Sequence, residues 1–515
     1  MLNSIRQLSP RTLDWLRHAL TLVFLLAILS ISNQFYGSSE QSTLLILAAL
    51  LGGYMALNIG ANDAGNNIGP LVGSQVIGLG SAMVLAALFE AAGAYLAGGE
   101  VISTIGQGII DPSLMSDKAG IVRAMLSALI AGGLWLHLAT FTGTPVSTTH
   151  SIVGGVVGGT IAMGGFELVD WRTIGAISSS WILSPLLGGS IAALLLYLVK
   201  RTITYQRHMT LAASRVLPLL VGLMAWSFTS YLLLKGLKAS WRVDFGLAIV
   251  SGLGIGVGIY LIINPILRQR TALLPNTKSA VNRLFNIPLL IAAGLLSFAH
   301  GSNDVANAIA PVIAIQQALI SSPASHFTEL TPWLLLIGVV GIPLGLILYG
   351  RRLIKTIASG ITELDQIRAF CIVTSVSITV LFASLLGLPV STTHIAVGAI
   401  FGIGLLRERL KLNYALLQDE IRYLLKDQDT QVIEDFLTRF NQSSPKDKSR
   451  MLKELDRSEG AKGDGSRERR HPQKLSRQVL VERSTLIRIL GAWFVTLPVT
   501  GLLSALAYQL LALFI

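Results

Sequence analysis

Two short motifs each occur twice in this sequence, in the same order. Residues 58–66 read Asn-Ile-Gly-Ala-Asn-Asp-Ala-Gly-Asn, and residues 299–307 read Ala-His-Gly-Ser-Asn-Asp-Val-Ala-Asn. Residues 143–150 read Gly-Thr-Pro-Val-Ser-Thr-Thr-His, and residues 387–394 read Gly-Leu-Pro-Val-Ser-Thr-Thr-His. The aspartates are 304 − 63 = 241 residues apart, and the histidines are 394 − 150 = 244 apart. Two motifs that recur with nearly the same offset indicate an internal duplication.

The residues around these motifs are predominantly apolar. Of the 515 residues, 52% are hydrophobic and only 13% are charged, whereas soluble domains carry about 25% charged residues. The mean hydropathy is +0.63. Apolar runs long enough to cross a ~30 Å hydrocarbon core recur along the chain. The sequence therefore predicts an all-α polytopic membrane protein of about 12 spans, give or take two.

Polar motifs in corresponding positions of two apolar halves are typical of transporters. In such proteins paired polar interruptions, in broken or re-entrant helices, mark a binding site near the middle of the bilayer. Irregular backbone at that depth is tolerated where it lines a cavity inside the protein. We expect this architecture here.

The net charge of +12 has two readings. It would suit a nucleic-acid-binding protein, but in a membrane protein it follows from basic cytoplasmic loops. Of the 40 Lys and Arg residues, 18 lie between residues 407 and 483. The only cysteine, Cys371, excludes an intramolecular disulfide. The predicted surroundings are a lipid bilayer and not nucleic acid, and no cofactor is predicted.

We divide the chain into six segments. They are an N-terminal cytoplasmic segment with an extra apolar helix (1–42), transport repeat 1 (43–199), connecting helices and basic loops (200–284), transport repeat 2 (285–406), a basic cytoplasmic insert (407–486) and a C-terminal transmembrane helix (487–515). The apolar stretch 19–31 reads as a signal peptide or as a retained short helix, and the lack of a clear cleavage site favours the helix. The insert has helical spacing at first, and its polar part, 443–478, is predicted to be disordered. Its role is that of a solvated spacer or of a regulatory or docking segment.

The first motif places an aspartate inside an apolar segment. Such a charge is costly in a membrane unless a cation or a partner compensates it, so it is a candidate functional residue. The spacing puts Asp63 with Asn66, and Asp304 with Asn307, on one helical face. Carboxylate and amide oxygens suit a hard cation, and we predict sodium bound by Asp63 and Asp304. The alternative is that these polar groups only join helices to one another.

The second motif reads as the start of a helix. Proline is tolerated in a first turn, and Ser or Thr can cap it. Free backbone N–H groups and the positive end of the helix dipole then form an anion site. Two such ends and six hydroxyls can surround a tetrahedral oxyanion without Arg or Lys. The alternative is ordinary hydrogen bonding between helices. His150 and His394 are expected to support this site rather than bind the ion.

The motifs resemble those of the inorganic phosphate transporter (PiT) family. The resemblance covers residues 52–198 and 285–406, and it includes the pair Phe89-Glu90. It implies an inverted-repeat bundle that holds phosphate between two half-sites and cotransports it with sodium or protons. It also implies alternating access through an elevator-like movement.

The resemblance assigns roles to individual residues. Those assigned to phosphate are Ser147, Thr148, Thr149, Ser391, Thr392, Thr393, Asn62 and Asn303. Those assigned to the coupling cation are Asp63, Asn66, Asp304, Asn307 and Glu90.

The sequence also departs from that family's pattern. Asn67 and Pro70 differ from the common first repeat. Sodium-coupled members often carry a glutamate in each half. Glu90 fits the first, but the second position, 389 − 373 = 16 residues before Pro389, holds Val373. The cation site is therefore expected to be asymmetric. Glu90 and the Ser-Thr-Thr motifs still favour sodium over a proton.

The predicted function is secondary active import of inorganic phosphate, coupled to a sodium or proton gradient, across a bacterial inner membrane. A permease for sulfate or another tetrahedral oxyanion stays open. A phosphohydrolase that uses His150 or His394, or a phosphate sensor with the insert as its output, is a remote alternative. An enzyme is not predicted, because no Arg or Lys cluster and no metal-ligand spacing joins either motif. A homodimer is a further expectation.

Overall fold

The computed structural model describes residues 10–37, 41–110, 117–236, 243–320, 332–360, 364–425, 429–443, 447, 448, 450–452, 454, 455 and 483–514. In these residues the regular structure is helical, apart from one isolated β-bridge between Ile110 and Val169. The helices are α1 (Pro10–Tyr36), α2 (Ser42–Gly73), α3 (Leu79–Ala97), α4 (Gly99–Gln107), α5 (Lys118–Thr142), α6 (Thr148–Gly164), α7 (Trp171–Val199), α8 (Met209–Tyr231), α9 (Phe245–Ala272), α10 (Lys278–Leu284), α11 (Asn286–Leu319), α12 (Pro332–Tyr349), α13 (Arg351–Gly360), α14 (Gln366–Leu385), α15 (Thr392–Leu424), α16 (Thr430–Gln442) and α17 (Arg483–Leu511).

Eleven helical segments of the described chain are long and apolar enough to cross a membrane. This confirms the predicted all-α polytopic fold and lies within the predicted number of spans. The first of them, α1, is longer than the apolar stretch 19–31 that predicted it. Its polar first turns continue the helix, and Arg17 pairs there with Asp14 at 3.0 Å.

The two aspartate motifs lie in long, continuous helices. α2 has 32 residues and α11 has 34, and each passes through a proline, Pro70 or Pro311, without ending there. Both helices are buried along the whole motif. The backbone is therefore not broken at the aspartates, because the apolar residues around them continue the helical hydrogen bonding and only the side chains are polar.

The breaks lie at the second motif instead. α5 ends at Thr142, and its cap Gly143 has a φ of 75°; Gly387 after α14 has a φ of 69°. This left-handed conformation favours glycine because it has no Cβ. Non-helical residues follow in each repeat, and a new helix begins at Thr148 or Thr392. The predicted helix starts are confirmed, but Pro145 and Pro389 lie in the non-helical segments before the helices and not in their first turns.

The two repeats pack against each other in a matched way. α2 packs on α12, and α11 packs on α3. A methyl group at Gly60 would overlap the backbone carbonyl oxygen of Ile342, and one at Gly301 would overlap that of Glu90. Since 301 − 60 = 241, these contacts are equivalent, so the counterpart of Glu90 is Ile342. The expectation that Val373 occupies that place was wrong, because sequence counting cannot show which helix lies against the motif.

The outer helices are also exchanged between repeats. α7 packs on α15, and α17 packs on α6. This packing makes α17 the structural equivalent of α7, because each packs on a helix that begins at the second motif. A long stretch of chain thus separates α17 from the other helices of the second set.

The basic insert begins inside a helix rather than after one. α15 continues without interruption from Thr392 to Leu424, past the boundary expected at residue 406. The described part of the insert then has a small apolar core formed by Ile421, Leu437 and Phe440. The segment 443–478, predicted to be disordered, lies mostly outside the described residues.

Candidate functional site

Asp63 and Asp304 meet at the centre of the bundle through one hydroxyl group. The Oγ1 atom of Thr148, the first residue of α6, lies 2.9 Å from Asp63 Oδ2 and 3.1 Å from Asp304 Oδ2. Both carboxylates are completely buried. A hydroxyl carries one hydrogen, so it donates to one carboxylate at a time. The two copies of the first motif therefore form one shared site.

The other oxygen of Asp63 accepts hydrogen bonds from both repeats. Asn66 Nδ2 and Thr393 Oγ1 each lie 3.1 Å from Asp63 Oδ1. Asn66 also donates to Thr393 at 2.7 Å. Because Thr393 lies in the first turn of α15 in the second repeat, the surroundings of Asp63 are complete only when the repeats are packed together.

Reciprocal hydrogen bonds tie each helix start to the opposite repeat. Thr149 donates to the backbone carbonyl of Val390 at 3.0 Å. The Thr393 hydroxyl lies 3.3 Å from the carbonyl of Val146, to which it can donate in place of Asp63. Asn307 Nδ2 lies 3.3 Å from the Thr149 hydroxyl. The two half-helices are thus held face to face by their first residues.

The serines of the second motif act as helix caps. Ser147 Oγ accepts a hydrogen bond from the backbone N–H of His150 at 3.0 Å, and Ser391 Oγ accepts one from His394 at 3.3 Å. These are the bonds expected of N-cap residues. Thr148 and Thr393, rather than the serines, contact the carboxylates. The buried hydroxyl of Thr392 has no hydrogen-bond partner among the described residues.

Asn62 and Asn303 hold the extended segments in front of the half-helices. Asn62 Oδ1 accepts from the N–H of Val146 at 3.3 Å, and Asn303 Oδ1 accepts from that of Val390 at 3.2 Å. Each side-chain amide also donates to the carbonyl two residues before that valine. Both ends of each amide are therefore engaged with backbone, so direct binding of phosphate by these residues, which stays a prediction, would require the bonds to open.

Glu90 reaches the site through His300 and not directly. Fully buried on α3, its Oε1 atom lies 2.9 Å from His300 Nδ1. His300 Nε2 lies 3.3 Å from Asp304 Oδ2 and 3.6 Å from Asp63 Oδ2. Neither ring nitrogen makes an aligned hydrogen bond within the described residues. Asn67 donates a short hydrogen bond to Glu90. Glu90 thus contacts His300, and His300 in turn lies beside both aspartates.

His300 is the residue of this site to which the sequence reasoning gave no role. It lies inside the repeated motif, where the first copy has Ile59. An ionisable side chain that replaces an apolar one within a membrane span is itself a sign of function. That comparison of the two copies could have identified it.

His150 and His394 form an aromatic contact behind the helix starts. Their ring centroids are 4.4 Å apart. Trp181 on α7 packs on His150, and Trp493 on α17 packs on His394, with centroids 3.9 and 3.5 Å apart. These rings connect the half-helices to the exchanged outer helices. Their supporting role in the site stays a prediction.

The site has an excess of negative groups. It contains three carboxylates, from Asp63, Glu90 and Asp304, and their contacts in the described chain come from hydroxyl, amide and imidazole groups. The site therefore holds more carboxylates than cationic groups. Buried carboxylates in a membrane protein are compensated by a bound cation, by a partner or by a proton.

Comparison with known proteins agrees with this geometry. The model of the phosphate transporter family matches residues 59–504. The chain belongs to that family. Members of this family are permeases and not enzymes, and this chain is a multi-pass integral membrane protein.

Relatives differ in how much of the chain they share. A candidate phosphate permease of Helicobacter pylori is 45% identical over 505 residues, which are 96% of this chain and 95% of that protein. A candidate phosphate permease of Chlamydia pneumoniae is 38% identical over 398 residues, which are 73% of this chain and 93% of that protein. This chain therefore contains residues that the Chlamydia protein lacks.

A solved structure described as the sodium-dependent phosphate transporter is also similar. It has a TM-score of 0.73 and 28% sequence identity, and the likeness covers 92% of this chain and 100% of that one. The likeness supports the fold described above.

Proposed function

We propose that this protein imports inorganic phosphate and is driven by a sodium gradient. The observation that carries the proposal is the Thr148 hydroxyl, which lies within 3.1 Å of both buried aspartates at the start of a half-helix. An anion site at a helix N-terminus and a carboxylate cation site thus share one residue. Binding of either ion would favour binding of the other through their opposite charges.

The unpaired polar atoms of the site support binding of both ions. In the part of the chain that the structure describes, the buried acceptor oxygens without a hydrogen-bond donor include Asp304 Oδ1, Asn66 Oδ1 and Asn307 Oδ1. Oxygens of this kind suit a hard cation better than a proton, since several can coordinate it at once. Thr392 Oγ1, likewise unpaired, is a donor available to an anion. The name of the similar solved structure also favours sodium.

Phosphate is favoured over sulfate because of the nearby carboxylates. At neutral pH phosphate retains a proton that it can donate, whereas sulfate only accepts hydrogen bonds. A carboxylate close to the Thr148 hydroxyl would accept a hydrogen bond from protonated phosphate. Sulfate has no hydrogen to donate and could not form this bond. The experiment must therefore compare the two anions directly.

Uptake into proteoliposomes tests the ion selectivity. We expect saturable uptake of labelled phosphate under an inward sodium gradient, and little uptake under a proton gradient alone. A hundredfold excess of unlabelled phosphate should suppress it, and the same excess of sulfate should not. Uptake driven by protons without sodium would overturn the coupling ion, and equal competition by sulfate would overturn the substrate.

The Thr148 hydroxyl can be removed with little change in shape. Thr148→Val should lower the specific rate of uptake by about 10- to 100-fold, because a hydrogen bond to a charged group contributes about 1.5–3 kcal/mol. Thr148→Ser should retain most of the activity. Thr160→Val, in the same helix, removes a hydroxyl that donates only to the Val156 carbonyl and should have little effect. Equal rates of phosphate uptake for Thr148→Val and Thr160→Val would contradict the role of Thr148.

The matched packing of the repeats supports a symmetric transport cycle. We propose that the two halves have inverted topology and that they alternate in opening the shared site to each side of a bacterial inner membrane. The homodimer expected from the sequence stays a prediction.

A further inference from the structure

The ammonium group of Lys200 has no ion-pair partner within the described residues. Lys200 directly follows α7 and is half-buried, and its side chain makes no hydrogen bond or ion pair with another described residue. The charges of Lys278, Arg368 and Arg407 act on it. The carboxylate of Asp365 acts on it too, but that group pairs with Arg368 at 2.9 Å. A partly buried cation among other cations is costly unless an anion compensates it.

α7 and α15 run side by side toward the same end of the bundle. A methyl group at Gly398 on α15 would overlap the backbone carbonyl of Pro185 on α7, and one at Gly402 would overlap that of Gly189. The two contacts follow each other in the same order on both helices, so the helices are parallel. The residues beyond these contacts therefore lie on the same side of the bundle.

α14 begins at the end toward which α7 and α15 run. Ser375 on α14 donates to the carbonyl of Gly188 on α7. Trp181, earlier on α7, donates at 3.2 Å to the carbonyl of Pro389, which lies just beyond the end of α14. α14 is therefore antiparallel to α7, and its first turn, which holds Arg368, lies beside the end of α7.

Two lysines join this end of the bundle from other parts of the chain. The N–H of Ile367 donates to Asn282 Oδ1 at 3.2 Å, and this bond ties α10, which begins at Lys278, to the start of α14. Partial burial and the charge of Lys278 lower the pKa of Lys448, in the basic insert. The Lys448 ammonium also lies over one aromatic ring from α15 and one from α16. Cations from five parts of the chain thus form one cationic cluster, which consists of Lys200, Lys278, Arg368, Arg407 and Lys448.

The cationic cluster lies at the edge of the membrane-spanning region. Lys200, Lys278 and Arg368 each lie within four residues of the end of a different candidate span. The basic loops are predicted to be cytoplasmic, and the cytoplasmic leaflet is the one whose anionic lipids attract basic segments. Basic pockets between spans on that side bind lipid headgroups. Lys and Arg form charge-assisted hydrogen bonds to phosphate oxygens, so a headgroup phosphate suits this cluster.

We propose that the phosphate group of an anionic phospholipid binds the cationic cluster and supplies a counterion for Lys200. Free inorganic phosphate offers the same acceptor oxygens, but the ends of three spans place the cluster at the depth of lipid headgroups. α15 carries Arg407 at this end and Thr393 at the central site, so a bound headgroup would hold the helix that forms one half of that site. The inference does not depend on the import of phosphate.

Binding of radiolabelled phosphatidylglycerol tests the proposal. The full chain, purified in detergent, should bind this lipid saturably. Unlabelled phosphatidylglycerol should displace it, whereas phosphatidylcholine, or inorganic phosphate at constant ionic strength, should not. Lys200→Gln should weaken binding about fivefold, because one basic residue near an anionic surface contributes about 1 kcal/mol. Lys200→Gln combined with Lys278→Gln should weaken it about 25-fold.

Arg172→Gln is the matched control, since it removes an exposed cation at the opposite end of α7 and should leave the affinity unchanged. Lys200→Gln removes no protein contact, so the melting temperature without lipid should not fall. Added phosphatidylglycerol should raise the melting temperature of the unmodified protein more than that of this variant.

The measurements on the unmodified protein need no variant to fold. Absence of saturable binding, or equal displacement by phosphatidylcholine, would overturn the proposal. Displacement by inorganic phosphate would show that the cluster binds the free ion and would refute the lipid as its ligand. An unchanged affinity in a folded Lys200→Gln protein would contradict the place of Lys200 at the centre of the site.

Discussion

Replacing Asp63 or Asp304 with asparagine is expected to abolish cation-driven phosphate uptake. Each change removes a fully buried negative charge that contacts Thr148 and His300. Removing one partner of a buried ionic contact typically costs about 3–5 kcal/mol, which corresponds to a fall of at least about 100-fold in the affinity for the cation. Uptake of labelled phosphate into proteoliposomes under a sodium gradient measures the loss.

A matched control uses an aspartate outside the site. Asp170 is the N-cap of α7 and accepts hydrogen bonds from the backbone N–H groups of Arg172 and Thr173. Asparagine caps helices about as well as aspartate, so Asp170→Asn should transport normally. Uptake that survives in both Asp63→Asn and Asp304→Asn would overturn the roles proposed for these carboxylates. Loss in only one would show that the two halves bind cations unequally.

Gly301→Ala is expected to destabilise the whole bundle. Its new methyl group would overlap the carbonyl oxygen of Glu90, and backbone cannot move aside as a flexible side chain can. Overpacked cores typically lose about 1–3 kcal/mol, and we expect the upper end of that range. Gly60→Ala should lower the stability by a similar amount, because its methyl group would overlap the carbonyl oxygen of Ile342. The apparent melting temperature in detergent, followed by size-exclusion chromatography, measures the effect.

Gly254→Ala is the matched control for this substitution. Gly254 lies in α9 and has open space where a Cβ would be added. Alanine favours helix over glycine, so this variant should be as stable as the unmodified protein or slightly more stable. If Gly301→Ala matched it in melting temperature, the close contact between α11 and α3 would not be needed for the fold.

The polar chemistry of the site could be predicted because charges in a membrane are exceptional. Asp63 and Asp304 stand out in apolar segments, and their recurrence at a constant offset predicts two related halves. The helix starts at Thr148 and Thr392 were predictable from proline, serine and threonine chemistry. These conclusions rest on local properties of the chain.

The contacts between the halves could not be predicted in this way. Sequence counting paired Glu90 with Val373. The packing of α3 on α11 and of α12 on α2 makes Ile342 its counterpart instead. Asn62 and Asn303 lie beside the aspartates in sequence, yet their amides hold backbone segments. Side chains that are neighbours along a helix contact different partners. Only the packing of the helices shows which partner each side chain contacts.

The sequence by itself determined that this is a membrane protein with two repeats. Each repeat contains a helix with a buried aspartate and a second helix that begins at a threonine. These features follow from apolar runs, prolines and charges, whose effects on structure are local. Only the tertiary structure decided that one hydroxyl, from Thr148, contacts both aspartates, and that His300 stands between them and Glu90. The physical reason is that these residues are far apart in the chain. Close packing of the helices, which glycines at the crossings permit, brings them within hydrogen-bonding distance.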